Sequence, residues 1–319
     1  MKVVIQIPCY NEEKALPITL EALPRSLPGV DEVKWLIIDD GSTDQTAEVA
    51  LAHGVDHIVS FTKNQGLARA FMAGLEASLR AGADIIVNTD ADNQYCADDI
   101  PKLIEPILSG KADIVVGSRP IAEIEHFSPV KKILQKLGSW VVRVASKTDI
   151  PDAPSGFRAI SRDAAMRLNV FNEYTYTLET IIQSGQKGMA IKSVPIRTNK
   201  DLRPSRLVKS ISSYISQSIL TIIRIFMTYR PLRFFAIPGV ISFSLGMLIS
   251  LRFLYFYLTG NGSGHIQSIV LAALLLGTGF FLCVAGLIAD LIAVNRKLME
   301  KLDWRVQQIE ESFQEKKHD

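Results

Sequence analysis

Short runs of β-branched and other apolar residues alternate with amphipathic segments through the first 196 residues. The apolar runs predict strands at 3–8, 35–39, 57–61, 84–88 and 113–117, with later strands near 157–161 and 189–196. The amphipathic segments predict helices near 14–23, 43–53, 66–81, 98–109 and 177–184. Such alternation is typical of βαβ units, so we expect an α/β domain over residues 1–200 with a mostly parallel, Rossmann-like sheet.

The pattern changes after residue 233, because Arg252 is the only full charge between 234 and 289. A glycine-rich polar turn at 259–265 divides this stretch into two segments. Each is longer than the roughly 20 residues that a helix needs to cross a membrane, so we predict spans at about 234–258 and 266–292. Gly277, Gly279 and Gly286 are candidates for packing within this hairpin, or for a homo-oligomer contact with a second copy.

The N-terminal region and the segment before the hairpin differ in net charge. Residues 1–196 carry 20 Lys+Arg against 25 Asp+Glu, whereas residues 197–233 carry 8 against 1. Apolar positions at three- and four-residue spacing over 205–228 predict a basic amphipathic helix within 201–233 that lies on the membrane surface. Residues 295–319 are expected to form a C-terminal helix or tail. Lys and Arg flank both outer ends of the hairpin and are absent from its turn, which predicts cytoplasmic termini.

Composition narrows the functional classes. The chain of 319 residues is 48% hydrophobic, and its mean hydropathy is +0.18, which excludes disorder. An acidic N-terminal region disfavours nucleic acid as a partner. The N-terminal apolar run is too short for a signal peptide, so we expect a multi-pass protein of the cell membrane, or of an ER-type membrane, whose catalytic domain stays cytoplasmic.

Polar clusters follow four of the predicted strands, at 8–12, 39–42, 90–94 and 117–119. In parallel sheets ligands bind beyond the carboxyl ends of the strands, so these clusters are expected to converge. Ser42, Thr43, Asp98 and Asp99 are also candidate helix caps. Asp90 and Asp92 can place carboxylate oxygens around a hard divalent cation that keeps other positions for water and substrate phosphate, and Gln94 adds a neutral oxygen.

Together these motifs resemble family 2 glycosyltransferases of the GT-A fold, and within them the dolichol-phosphate mannose synthase-like polyprenyl-phosphate glycosyltransferases. The resemblance extends over nearly the whole chain, including the membrane hairpin. The matching segments are PCYNE (8–12), IIDDGSTD (37–44), NQG (64–66), DADNQ (90–94), VVGSR (115–119) and DAPSGFR (152–158).

The resemblance implies a role for each matched position. Pro8, Tyr10, Glu12, Ile38, Asp40 and Ala91 would line the nucleotide pocket. Asp90, Asp92 and Gln94 would hold Mg²⁺ or Mn²⁺ with the donor diphosphate. Arg119 would meet phosphate of the donor or the acceptor, and Arg203 and Arg206 would meet the lipid phosphate. Tyr95 and Cys96 stand where relatives often carry a proline-containing turn.

The resemblance further implies transfer of one sugar, with inversion, from a nucleotide-sugar donor such as GDP-mannose or a UDP-sugar to a polyprenyl phosphate. A family 2 enzyme acting on a lipid or glycan hydroxyl is the alternative, and a non-catalytic membrane assembly partner is a third hypothesis. Glu179 aligns with the catalytic base of relatives that use hydroxyl acceptors, but a purely structural helix residue explains it equally well.

Overall fold

The computed structural model of the chain describes residues 1–120, 138–140, 142–144, 146–170, 176–199, 220, 223–224, 227–260 and 266–318. Seven strands form one sheet. They are β1 (Lys2–Cys9), β2 (Glu32–Asp39), β3 (His57–Ser60), β4 (Ile85–Asn88), β5 (Ile114–Ser118), β6 (Arg158–Ser161) and β7 (Ile191–Pro195). The α-helices whose bounds the described residues define are α1 (Leu16–Ala22), α2 (Thr46–Ala52), α3 (Leu67–Arg80), α4 (Ile100–Leu108), α5 (Arg162–Arg167), α6 (Thr177–Gln186), α7 (Pro231–Leu258) and α8 (Ile266–His318).

The sheet has the strand order β3-β2-β1-β4-β6-β5-β7. All neighbours are parallel except β6, which runs antiparallel to both β4 and β5. The predicted strands and the five predicted helices are confirmed, with bounds shifted by up to three residues. The mostly parallel α/β class follows from βαβ connections, whose helices cover the sheet faces and let the central strands be apolar on both sides.

The core lies against the central strands. β1 is buried at every position after Lys2, and the buried set of β2 and β4 packs with it. Helix α3 buries Phe71, Gly74 and Leu75 on one face, which is the pattern that its apolar periodicity predicts. This rigid layer fixes where each strand ends, and therefore where the loops that follow the strands begin.

The proposed helix caps are wrong. Gln45 stands at the N-cap of α2 without capping it, and Asp44 Oδ1 accepts from the first helical nitrogen, that of Thr46; Ser42 instead accepts a hydrogen bond from the Asn11 backbone. Asp99 occupies the N-cap position of α4 without capping it, because its carboxylate is taken by Arg197 and Lys102. The Ser42 hydroxyl and the Asp99 carboxylate therefore bond to other partners and do not cap the helices.

A second compact unit, Leu220–Val306, contains the apolar helices. The 28 residues of α7 and the 41 residues Ile266–Val306 of α8 are long and apolar enough to cross a membrane. Helix α8 continues without a break to His318, so the residues that follow the predicted span 266–292 belong to the same helix. Most of the predicted interface helix within 201–233 lies outside the described residues.

Small residues form the contact between α7 and α8. A methyl group added to Gly279 would lie 2.6 Å from the Phe243 nitrogen, and one added to Gly246 would lie 3.0 Å from the Ala272 oxygen. Gly286 also faces α7, whereas nothing lies within 4 Å of the corresponding point at Gly277. Because Gly279 and Gly286 serve the hairpin itself, their small size is explained without a second copy.

Candidate active site

The sheet brings the ends of β1 and β2 side by side, with Pro8 opposite Ile38. The loops that follow interlock. The Asn11 nitrogen donates to Ser42 Oγ at 2.9 Å, and Asn11 Oδ1 accepts from the Thr43 nitrogen at 2.8 Å. Asn11 holds a left-handed backbone (φ 55°), which asparagine tolerates better than most residues. Two of the predicted polar clusters therefore form one structural unit.

Asp40 holds a neighbouring loop. Its Oδ1 accepts from the Gln65 nitrogen at 2.7 Å, and its Oδ2 accepts from the Gly66 nitrogen at 2.9 Å and from Asn64 Nδ2 at 3.1 Å. Burial raises the pKa of this carboxyl, while the two backbone donors oppose the rise. Gly41 completes the turn, since it has φ +69° and a side chain there would collide with the backbone of Lys63.

The other residues predicted to line the nucleotide pocket differ in exposure. Pro8 and Ile38 are buried, and Glu12 is 7% exposed, whereas Tyr10 is 41% exposed. Ala91 is buried, and its carbonyl accepts from Thr19 Oγ1 at 2.8 Å. Of this group, Tyr10 therefore presents the most side-chain surface to a ligand.

Asp90 follows β4 and is half-buried. Burial and the neighbouring Asp92 raise the pKa of its carboxyl to about 7, while Arg119 and a hydrogen bond from Tyr95 act in the opposite direction. Gly156 lies directly against it, since a methyl group there would be 2.9 and 3.1 Å from the two Asp90 oxygens. Only a residue without a side chain leaves room for the carboxylate at this point.

Asp92 and Gln94 lie on the same loop as Asp90. Asp92 Oδ1 accepts from the Gln94 nitrogen at 3.2 Å, which folds the loop tightly. Gln94 Oε1 accepts from Arg119 Nη1 at 3.3 Å. If Gln94 is to offer this oxygen to a cation, the hydrogen bond with Arg119 must lengthen or be shared.

Arg119 is paired with a buried acid that sequence reasoning did not assign to the site. Its Nε and Nη2 donate to the two oxygens of Asp152 at 2.8 and 3.0 Å, and its backbone nitrogen donates at 3.1 Å. Asp152 is fully buried, and the Arg119 side chain is 9% exposed. Two of the guanidinium nitrogens are thus committed to Asp152, and Nη1 points toward the acidic loop.

Buried polar side chains form a hydrogen-bonded network around Gly156, the residue that lies against Asp90. Asn88 Nδ2 donates to the Gly156 carbonyl and to Tyr176 Oη, both at 2.8 Å, and Asn88 Oδ1 accepts from Gln6 Nε2 at 2.9 Å. Tyr176 stacks on Phe71 with ring centroids 3.8 Å apart. Sequence reasoning missed this network; an asparagine inside the apolar run IIVN was the available signal.

The chain after β7 clamps the acidic loop from the other side. Asn199 Nδ2 donates to the Asn93 carbonyl at 2.9 Å, and the Asn199 nitrogen donates to the Gln94 carbonyl at 2.8 Å. Arg197 pairs with the buried Asp99 at 3.0 Å, and bonds from Arg197 and Lys102 lower the Asp99 pKa to about 2 against the effect of burial. These contacts join residues about one hundred positions apart, so no short sequence motif predicts them.

The other predicted site residues, Arg203, Arg206 and Glu179, have different outcomes. Arg203 and Arg206 lie outside the described residues. Glu179 lies in the first turn of α6, 7% exposed, with Gln183 Nε2 at 3.5 Å from its Oε1. Arg158, the last residue of the matching segment 152–158, is fully buried and donates to the carbonyls of Ser155 and Ala153, at 2.8 Å each.

Comparison with known proteins now gives the family. The model for glycosyl transferase family 2 matches residues 4–168, which is more than half of the chain and includes β1 to β6. The chain belongs to glycosyl transferase family 2.

Curated members of the family resemble the chain over most of their own length. Undecaprenyl-phosphate mannosyltransferase of Micrococcus luteus is 30% identical over 206 residues, covering 61% of this chain and 83% of that protein. UDP-N-acetylglucosamine--dolichyl-phosphate N-acetylglucosaminyltransferase of Methanococcus voltae is 31% identical over 217 residues, covering 60% and 83%. These two relatives differ in the sugar that their names specify.

A solved structure supports the fold of the family 2 domain. Glucosyl-3-phosphoglycerate synthase of Mycobacterium tuberculosis, crystallised with Mn²⁺, uridine diphosphate and phosphoglyceric acid, superposes with a TM-score of 0.54 at 20% identity. The match covers 69% of this chain and 78% of that protein. The predicted GT-A fold is therefore confirmed.

Proposed function

We propose that this family 2 glycosyltransferase transfers one sugar from a nucleotide-sugar donor to a polyprenyl phosphate at the membrane surface. The observation that carries the proposal is the acidic loop 90–94 at the carboxyl edge of the sheet, backed by Arg119, in a chain that continues into two apolar helices. The names of the two curated relatives support a polyprenyl-phosphate acceptor.

The donor is proposed to bind between the loops that follow β1, β2 and β4. Tyr10 offers an exposed side chain, whereas the buried residues Pro8, Glu12, Ile38 and Ala91 are proposed to line the pocket. Asp40 contributes by holding loop 64–66 in place. Because the two relatives differ in sugar, the donor is described only as a sugar nucleotide, with GDP-mannose and UDP-sugars as the candidates.

The acidic loop suits a divalent cation bound together with the donor. Among the described residues no group of three or more His, Cys, Asp or Glu side chains could hold a metal ion without other ligands. Asp90 and Asp92 are therefore proposed to share Mg²⁺ or Mn²⁺ with donor phosphate oxygens and water, which is the ligand set that such cations favour. Gln94 is a proposed third protein ligand.

When bound, the cation would supply charge neutralisation for the departing nucleoside diphosphate. Arg119 is proposed to assist through Nη1, because its other donors are held by Asp152. Arg203 and Arg206 are proposed to orient the lipid phosphate. The second pKa of a phosphate ester is about 6, so the acceptor oxygen is already anionic near neutral pH. Direct attack with inversion then needs no strong general base.

The membrane topology is proposed from the lengths of the two apolar helices and from the positions of Lys and Arg at their ends. Helix α7 and the first part of α8 would cross the bilayer as a hairpin, with the turn at 259–265 outside. Lys and Arg at both inner ends would keep the family 2 domain and both termini in the cytoplasm. The active site would thus share its compartment with sugar nucleotides and its surface with the lipid acceptor.

Acceptor choice is the decisive test. Full-length protein in detergent or vesicles is given undecaprenyl phosphate or diacylglycerol, each with GDP-mannose, UDP-glucose or UDP-N-acetylglucosamine, and product is separated by chromatography. We expect a labelled lipid-phosphate sugar with one of the donors. Product formed only from diacylglycerol would overturn the acceptor assignment and favour the alternative, in which Glu179 acts as base.

The metal role has its own test. Asp92→Ala is expected to abolish transfer and Mn²⁺ binding, since one of two carboxylate ligands is lost. Asp98→Ala is the matched control, because Asp98 is an acid close by in sequence with 80% side-chain exposure. Full transfer by Asp92→Ala would reject the assigned metal site.

A further inference from the structure

Tyr95 lies directly beneath the acidic loop and is almost completely buried, at 4% exposure. Its ring stacks on Phe157, with centroids 5.0 Å apart and planes 8° from parallel. This stacking fixes the direction of the side chain. The hydroxyl consequently has one defined position, and a change that removes only the hydroxyl leaves the packing in place.

The Tyr95 hydroxyl accepts one hydrogen bond and has one proton to donate. The Gly156 nitrogen donates to Tyr95 Oη at 3.0 Å. A tyrosine hydroxyl has one proton, and because it accepts from Gly156 it can direct that proton to another acceptor. Asp90 is the acceptor on the same side of Gly156, since a methyl group added to Gly156 would lie 2.9 and 3.1 Å from the two Asp90 oxygens, and Tyr95 acts to lower the pKa of the Asp90 carboxyl.

Gly156 restricts the same carboxylate from a second direction. A methyl group on Gly156 would be 2.9 Å from one Asp90 oxygen and 3.1 Å from the other, so the carboxylate lies tightly against the backbone. The Gly156 carbonyl is itself held by Asn88 at 2.8 Å. Asp90 therefore rests between a fixed backbone and a fixed hydroxyl, and rotation of its carboxylate is limited.

From this geometry we infer that Tyr95 is a positioning residue, which holds the Asp90 carboxylate in the orientation that binds the cation. The inference rests on the proposed function, in which Asp90 is a cation ligand. Hydrogen-bonding partners of metal ligands commonly change metal affinity or activity by about 10–100-fold when they are removed.

The test compares four full-length proteins in detergent: wild type, Tyr95→Phe, Asp92→Ala and Tyr257→Phe. The last is a matched loss of a hydroxyl from an exposed tyrosine in α7. Mn²⁺ binding is followed by electron paramagnetic resonance, without nucleotide and with GDP or UDP, and thermal unfolding is measured for each protein.

We expect Tyr95→Phe to raise the Mn²⁺ dissociation constant about 10–100-fold, with Tyr257→Phe unchanged. In transfer assays most of the lost kcat should return at saturating Mn²⁺. A tyrosine that only stabilised the fold would lower the unfolding temperature and leave the Mn²⁺ concentration for half-maximal activity unchanged.

The outcomes separate the inference from the proposed function. Loss of Mn²⁺ binding in Asp92→Ala with wild-type binding in Tyr95→Phe would overturn the role of Tyr95 and leave the metal site in place. Wild-type binding in Asp92→Ala would overturn both. If Tyr95→Phe does not fold, Tyr95→His replaces it, because histidine keeps a hydrogen-bond donor on a ring. We then expect measurable Mn²⁺ binding by Tyr95→His. Complete loss of Mn²⁺ binding in a folded Tyr95→His protein would overturn the inference.

Discussion

Replacing Asp152 with alanine should destabilise the family 2 domain strongly. Asp152 is fully buried and accepts two side-chain hydrogen bonds from Arg119, at 2.8 and 3.0 Å, as well as one from its backbone. Arg119 is 9% exposed, so removing the acid leaves a guanidinium with little access to water. Loss of one partner of a buried ion pair typically costs about 3–5 kcal/mol.

The assay is thermal unfolding of the full chain in detergent. For a domain of about 200 residues each kcal/mol lowers Tm by about 2–4 °C, so we expect a decrease of about 6–20 °C. The matched control is Asp149→Ala. Asp149 is 96% exposed and lies 3.4 Å from Arg143, so its loss should cost less than about 1 kcal/mol.

A double variant tests the cause. Combining Asp152→Ala with Arg119→Met removes both charges, so its cost should be smaller than the sum of the two single costs. The reasoning is refuted if Asp152→Ala lowers Tm no more than Asp149→Ala does, or if the two single costs simply add.

Three further predictions concern the acidic loop and the hairpin. Gly156→Ala should weaken Mn²⁺ binding, because its methyl group would force the Asp90 carboxylate to move; calorimetric titration that gives the wild-type dissociation constant would contradict this. The pKa of Asp90, about 7, means that a cation must displace a proton at lower pH. The Mn²⁺ dissociation constant should therefore rise about tenfold for each pH unit below about 7 and level off above it, and a pH-independent titration would show that the Asp90 carboxyl is not protonated near neutral pH. Gly279→Leu should lower the unfolding temperature in detergent, since α7 lies 2.6 Å from the added carbon, while Gly277→Leu should not; equal effects would show that the hairpin does not pack as described.

The sequence was most informative where physical signals are local. Alternating apolar runs predicted the strands and five helices, because burial on two faces of a parallel sheet demands such runs. The acidic pair Asp90 and Asp92 was recognisable from its place after a buried strand. The apolar helices were evident from their length and hydropathy, whereas the sequence left open whether the residues after 295 form a helix or a tail; α8 continues to His318.

Tertiary structure decided what each candidate side chain contacts. Asp40, predicted at the base of the nucleotide pocket, has both oxygens occupied by loop 64–66. Arg119, predicted to meet phosphate, is bound on two nitrogens by Asp152. Each contact joins residues 25 to 33 positions apart, and side-chain orientation across such distances depends on packing that no short motif specifies.

The sequence by itself thus determined the class of fold, and it predicted the edge of the sheet where ligands are expected to bind and the residues whose chemistry suits a cation and phosphates. Only the tertiary structure decided which of those groups are already engaged and which are held in place by others. Gly156 shows why: it is 61 residues from Tyr95, yet its nitrogen donates to Tyr95 Oη at 3.0 Å, and it lies directly against the Asp90 carboxylate. The spacing of apolar residues indicates which positions of one strand or helix are buried. The geometry of a site depends instead on how different strands, helices and loops are aligned with one another.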